Sequence, residues 1–317
     1  MTAPQTTYAH QEVRQLLADP AMTEHSPGEE FAHVASLHDD KHDDVTVSYR
    51  AYLPAAFPLF ANRPRYTVRH LLKVATVRDE ETPYFQEVAP HDDDRTAGGR
   101  SYEQTLEASF TPVIKSTDLT EISVSVETPP GLENNVRLLA SYIDYRLLVR
   151  FGVRENQLLL HGEQRYGPDA EPVGRRGGEG SALPGLLQLP GLRRLRSAGD
   201  PVAELTAAAG AVEETGGSCD GIVVHPSLYW RMVETGRLGP LNEAGIRVSR
   251  TRMMPPEQVL LGDFRAAATL LDPGTSWVTL RRGAGANGGH LLEARSRIAL
   301  AVHLPRHFLL LDRGEAA

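Results

Sequence analysis

The feature that most constrains this chain is one long periodic run, residues 132–161, LENNVRLLASYIDYRLLVRFGVRENQLLLH. Leu132, Val136, Leu139, Ile143, Leu147, Phe151 and Leu158 recur at three- and four-residue steps, Pro129 and Pro130 precede the run, and Gly162 follows it. The spacing predicts a single helix, roughly 45 Å long at about 1.5 Å per residue, with a bend at Gly152.

The rest of the chain is expected to be organised around that helix. Residues 1–45 are polar, with one amphipathic stretch at 10–18 (HQEVRQLLA) in which Val13, Leu16 and Leu17 share a face. Residues 46–65 mix aromatics with three prolines and suit an extended segment laid across another surface. Strand character runs from Tyr66 to Val77 and returns near Leu106–Val126, around the polar TPYFQEVAPHDDDRTAGGRS. This predicts a projecting hairpin with too little core to stand alone. Beyond the long helix, 165–185 is rich in Gly, Pro and Arg and reads as a surface loop.

The remainder alternates helix and strand. DPVAELTAAAGAVEET has an Asp N-cap, Pro at the first helical position and Gly216-Gly217 at its end. DGIVVHP reads as a buried strand and PSLYWRMVETG as a helix. Further strands are expected at 246–252, 258–264, 275–282, 291–304 and 307–312. In the fourth of these, Leu292, Ala294, Ile298, Leu300, Val302 and Leu304 face one way, and Glu293, Arg295, Arg297 and His303 the other.

Composition excludes several classes. No apolar run approaches the ~18 residues that span a bilayer, and the first residues lack the basic and apolar regions of a secretory signal. A cytoplasmic protein without a membrane partner is the expectation. Cys219 is the sole cysteine, so there is no internal disulfide or cysteine-based zinc site. A net charge of −8 gives no footprint for general nucleic-acid binding.

The order of parts is that of a subunit completed by its neighbours. GIRVSRTRMMPPEQVLLGDF, followed by a hairpin and EARSRIALAVHLPRHFLLLD, resembles the C-terminal half of tailed-phage major capsid proteins and encapsulins, which share the Hong Kong ninety-seven type fold. Upstream, LLLHGE, PGLLQLPG and DGIVVHPSLYW extend the resemblance in the same order, over about residues 66–312. It implies an α+β capsid fold with an N-terminal arm at 1–65, an extended loop at 66–111, a peripheral domain with its spine helix at 112–184 joined by 291–317, and an axial domain at 185–290. The implied function is self-assembly into a closed icosahedral shell in which each extended loop lies over a neighbouring subunit. The partner is the chain itself, together with a cargo enzyme held by a targeting peptide; no cofactor or specific nucleic acid is expected.

Two sites follow from the same resemblance. The segment Glu234, Thr235, Gly236, Arg237, Leu238, Gly239, Pro240, Leu241, Asn242 and Glu243 takes the place that lines the five-fold pore in encapsulins, with an ordinary surface turn as the alternative. Val13, Leu16 and Leu17 correspond to the short N-terminal helix that helps form the cargo groove, or to a helix simply packed on the spine. The chain shows no sustained heptad pattern of the kind a scaffolding segment carries, which favours an encapsulin-like compartment over a phage capsid. The arm length and the insertion RYGPDAEPVGRRGGEG depart from the encapsulin pattern.

HDDKHDD at 38–44 and HDDD at 91–94 hold metal-ligand residue types, and His91 and Asp93 with His290 or His303 make a two-histidine, one-carboxylate set on paper. Neither segment has the apolar frame that fixes ligand geometry, so solvated loops and no metal are expected. Cys219 with His225 is a weaker nucleophile pair. Arg295 and Arg297 are expected to pair with acids of the long helix or of an adjacent subunit, in preference to packaged nucleic acid.

Overall fold

The computed structural model describes residues 26–37, 44–49, 53, 67–87, 112–129, 131–162, 183–197 and 199–312. Thirteen strands are described: β1 (Val45–Tyr49), β2 (Lys73–Thr76), β3 (Glu81–Glu87), β4 (Pro112–Asp118), β5 (Thr120–Thr128), β6 (Arg193–Arg196), β7 (Gly221–Val224), β8 (Arg247–Arg250), β9 (Gln258–Gly262), β10 (Ala268–Asp272), β11 (Ser276–Arg281), β12 (His290–Val302) and β13 (Phe308–Asp312).

Strand β12 organises the first sheet. Its first half lies between β5 and β11, both antiparallel to it, and β1 adds to the far side of β11. Its last residues pair instead with β10, which carries β2 in parallel. Burial follows the change of neighbours: Leu292, Ala294, Ser296 and Ile298 alternate with half-buried residues, and everything from Ile298 to Val302 is buried. The expected alternation therefore holds only up to Ile298, because Ala299 and Ala301 are covered on the second face by Leu271 and Tyr84.

The long helix covers the inner face of this sheet. It begins at Val136 with Asn135 as its cap, accepting from the Leu138 N–H, while Leu132–Asn134 form a separate 3₁₀ turn. Val136–Tyr142, Ile143–Leu147 and Leu148–His161 then run on without a break. The irregularity expected at Gly152 sits instead at Ile143–Leu147, a π turn, and Gly152 lies in regular helix. The π turn turns Asp144 toward a second helix, Pro27–Leu37, whose Ser26 hydroxyl and Gly28 N–H both donate to its carboxylate. A Cβ on Gly28 would lie 2.2 Å from the Ala140 carbonyl oxygen, so the two helices meet at backbone distance. Phe31, Ala32 and Ala35 are buried there; the stretch 1–45, expected to be polar apart from 10–18, thus contains a further, core helix whose three apolar positions are too few to stand out.

The second sheet runs β6-β13-β9-β7-β8. Its three inner strands, β13, β9 and β7, are buried on both faces, which explains the uninterrupted apolar runs GIVV, QVLLG and FLLLD. Ile222, Val224, Val259, Leu261, Leu309 and Leu311 pack under helices Pro201–Glu213 and Pro226–Glu234, while Val223, Leu260 and Leu310 join the large core shared with the long helix. Among the described residues β6 and β8 are its edges, and arginines stand on both: Arg193, Arg194 and Arg196 on one, Arg247 and Arg250 on the other.

The last residue of β9, Gly262, has no room for a side chain. A Cβ at Gly262 would lie 2.6 Å from the Phe308 ring and 2.9 Å from the His307 carbonyl. Phe308 and Phe264 meet edge to face at 5.1 Å between centroids. Asp263 accepts from Ala266 and Ser218 N–H groups, starting the helical turn Phe264–Ala267. Strand β10 follows directly; its Ala-rich lead obscured it in the sequence.

The hairpin differs from expectation in its strands. Thr67 and His70 form a capping box around the short helix Val68–Leu71, so within the stretch expected as a strand from Tyr66 to Val77 the described residues, from Thr67 on, are a helical turn followed by β2. The hairpin is made of β3 and β4, which pair from Glu81↔Asp118 to Glu87↔Pro112. Thus β3 falls within the stretch read as a polar tip, and the second limb breaks at Leu119 between β4 and β5. Arg69, in the turn before β2, is buried and pairs with both Glu155 of the long helix and Asp272 of β10.

Candidate assembly surfaces

The hairpin has two unlike faces. On the inner one, the Tyr84 ring meets His303 edge to face at 5.8 Å, and burial pushes its phenol above the usual range. His303 bridges the two parts: Nδ1 contacts the Phe85 carbonyl at 2.9 Å and Nε2 the Thr269 hydroxyl at 3.0 Å. Gln86 donates to the Val302 carbonyl and the Glu87 N–H to that of His303. On the outer face Phe85 and Ile114 stand opposite one another, 65% and 74% exposed. Strand alternation puts Glu81, Pro83, Glu87, Pro112, Ser116 and Asp118 on the same side, three acids and no base.

The solvent face of the first sheet carries Arg295 and Arg297. Arg295 and Arg281 both contact one oxygen of Glu293, at 2.7 and 3.0 Å, and Arg297 pairs with Glu80 at the hairpin base. The Arg295 guanidinium, with Arg281 adding to it, holds the Glu293 carboxyl below the usual range. The acids that the two arginines find in this chain are therefore on β12 itself and on the loop before β3, and not on the long helix. With Trp277, Thr279, Thr46, Asp44 and Glu121 these arginines line an open cleft of about 610 Å³.

The segment expected at the pore is a short helix, Leu238–Glu243, following Pro226–Glu234. Gly236 and Gly245, with φ of 67° and 84°, make the turns at its two ends. The Arg237 N–H donates to Met232 and that of Ile246 to Leu241. Leu238 and Leu241 pack onto the core while Glu234, Thr235, Gly236, Arg237, Gly239, Pro240, Asn242 and Glu243 are exposed. Beside it, Trp230 is 55% exposed and Arg250 stacks over the rings of Tyr229 and Trp230.

Val13, Leu16 and Leu17 lie outside the described residues, as do His91 and Asp93. Among the described residues no group of three His, Cys, Asp or Glu side chains is placed to hold a metal, and no helix is long and apolar enough to cross a membrane. His290 is engaged by Glu133 and by the Gly283 N–H, and His303 by the hairpin. Burial pushes the Cys219 thiol up to about 12, which keeps it protonated. His225 caps the helix Pro226–Glu234 through Nδ1. The outward apolar pair Phe85 and Ile114 was missed in the sequence because β3 was not recognised as a strand; the alternation in ETPYFQE carries the signal.

No protein-family model matches the sequence, and no curated protein matches it. Among solved structures the chain is similar to one described as Microbacterium phage Oxtober96, with a TM-score of 0.51, 15% identity and coverage of 79% of this chain and 92% of the other. A second, Mycobacterium phage Adephagia, gives a TM-score of 0.50 at 14% identity, covering 89% and 96%. A virus-like particle from Pyrococcus furiosus gives 0.49 at 11% identity, covering 78% and 92%. The chain has the α+β Hong Kong ninety-seven type capsid fold.

Proposed function

We propose that this protein is the subunit of a self-assembling icosahedral shell, an encapsulin-like nanocompartment of the bacterial cytoplasm with no catalytic role of its own. The observation that carries this reading is the hairpin β3–β4 on a capsid fold: one face is docked through Tyr84 and His303, and the other leaves Phe85 and Ile114 in water. A two-stranded hairpin with an uncovered apolar face gains stability when a neighbour buries it. In this reading residues 1–65 are the arm, 66–111 the extended loop, 112–184 with 291–317 the peripheral domain and 185–290 the axial domain.

The segment Glu234–Glu243 lines the five-fold opening and gates small solutes, a role supported by the exposure of most of its residues. Val13, Leu16 and Leu17 dock the targeting peptide of a cargo enzyme, supported by their shared face at helical spacing. A phage or prophage capsid that packages DNA is the second reading, and the similarity to two phage structures favours it.

Negative-stain microscopy of the protein expressed alone, with the 260/280 nm absorbance ratio of the same particles, tests both. Uniform closed particles with a protein-only ratio support the compartment. Particles that carry nucleic acid or need a scaffold support the phage reading. Monomers or dimers at assay concentrations refute the shell.

A further inference from the structure

We propose that the tip of the first sheet, residues 282–289 between β11 and β12, is a pH-operated latch that a proton on His290 unfastens. The inference does not depend on whether copies assemble. Four hydrogen bonds shape the tip. The Gly283 N–H donates to His290 Nδ1 at 3.0 Å, the Arg282 N–H to Asp44, the Gly285 N–H to the Gly289 carbonyl and the Gly289 N–H to that of Ala286. Only the first of them ends on a histidine, the side chain that titrates between about pH 5 and 8. A backbone N–H can only donate, so Nδ1 is the bare nitrogen of the ring and the proton sits on Nε2. Nε2 lies 3.3 Å from a carboxylate oxygen of Glu133, in the 3₁₀ turn Leu132–Asn134.

Acidification adds a proton to the free lone pair of Nδ1 and turns an acceptor into a donor. Two N–H groups then face each other where a hydrogen bond had been. The same proton makes the ring positive, which strengthens its contact with Glu133. Burial works against the Glu133 charge, but its own N–H and the contact with His290 hold the carboxyl below the usual range, so it is ionised while the ring titrates. Strand β12 fixes the backbone of His290 as well, through pairing with Thr128 and a hydrogen bond from the Thr128 hydroxyl to the His290 carbonyl. The ring therefore stays and the tip departs. The other charges close by leave this direction unchanged. Glu127 and Arg281 are opposite Leu291, so strand alternation turns them to the other side of the sheet from His290. Asp44, before β1, and Arg282, at the start of the tip, carry opposite charges.

Amide hydrogen exchange of the full-length chain tests this, read at single residues by mass spectrometry and corrected for the intrinsic exchange rate at each pH. Protection of the Gly283 amide is expected to fall at least tenfold between pH 7.5 and pH 5, while the Leu292 and Ala294 amides of β12 change less than twofold. His290→Asn keeps a side-chain acceptor for the Gly283 N–H and takes up no proton, so its Gly283 protection should hold within twofold over the same range. Glu133→Gln removes the charge that favours the imidazolium and should move the fall to lower pH. The latch is overturned if Gly283 is unprotected at pH 7.5, if its protection changes less than twofold, or if His290→Asn shows the same fall. An unmoved midpoint in Glu133→Gln overturns the part given to Glu133. Equal loss of protection along β12 means general unfolding and overturns the latch too.

Discussion

Arg69→Met should loosen the root of the hairpin from the body of the protein. Arg69 joins three separate elements, the turn before β2, the long helix through Glu155, and β10 through Asp272, and the three side chains are 3%, 1% and 0% exposed. Methionine fills similar volume and leaves two carboxylates buried beside it without that cation. Removing one partner of a buried ion pair costs about 3–5 kcal/mol, mostly the desolvation of the charge left behind. With both acids deeply buried we expect about 4 kcal/mol, which for a chain of this size is a fall of roughly 8 °C in melting temperature. Differential scanning calorimetry at a protein concentration too low for particles to form measures it without a contribution from particle contacts. Replacing Glu155 with Leu in the same chain should recover part of the loss, because the second change removes one of the stranded charges. A melting temperature within 2 °C of the starting protein would refute the claim that the triad ties the hairpin root down.

Gly262→Ala should destabilise by about 1–3 kcal/mol in urea titrations, since the added Cβ meets the Phe308 ring and the His307 carbonyl. Burial beside Arg69 and Arg247 holds the His70 imidazole down to about 3, so the unfolded chain binds more protons below about pH 6.5. Stability should therefore fall as the pH drops from about 6.5 toward 3, and His70→Asn, which keeps an acceptor for the Thr67 N–H, should flatten that decline. Cys219 should resist iodoacetamide at pH 8 in the folded protein and react once the chain is unfolded, as mass spectrometry will show; labelling of the native protein would contradict its burial.

The sequence disclosed elements whose apolar pattern is long or whose ends are marked. The long helix, the helix Pro201–Glu213 with its Asp200 cap, and β7, β9, β12 and β13 all belong to that group. Strand β10 escaped because alanines precede it, and the helix Pro27–Leu37 because its close packing depends on Gly28 approaching Ala140 rather than on large apolar side chains. The π turn at Ile143–Leu147 has no signature in spacing; it exists to turn Asp144 toward Ser26 and Gly28, 116 and more residues away in the chain. The partners of Arg295 and Arg297 were equally hidden, because they depend on β12 lying beside the Glu80 loop. The acidic outer face of the hairpin could be found only after the register from Glu81↔Asp118 to Glu87↔Pro112 was known.

The arginine-bearing edges of the second sheet bear on how copies can meet. An exposed strand edge is an open invitation to pair, and strand addition has no natural end: each copy that joins presents another edge and the product is a fibre. Here an approaching β6 or β8 would bring Arg193, Arg194 or Arg196 against its own kind or against Arg247 and Arg250. Like charges placed opposite one another across a new ladder oppose it. The route to endless growth is thereby penalised electrostatically.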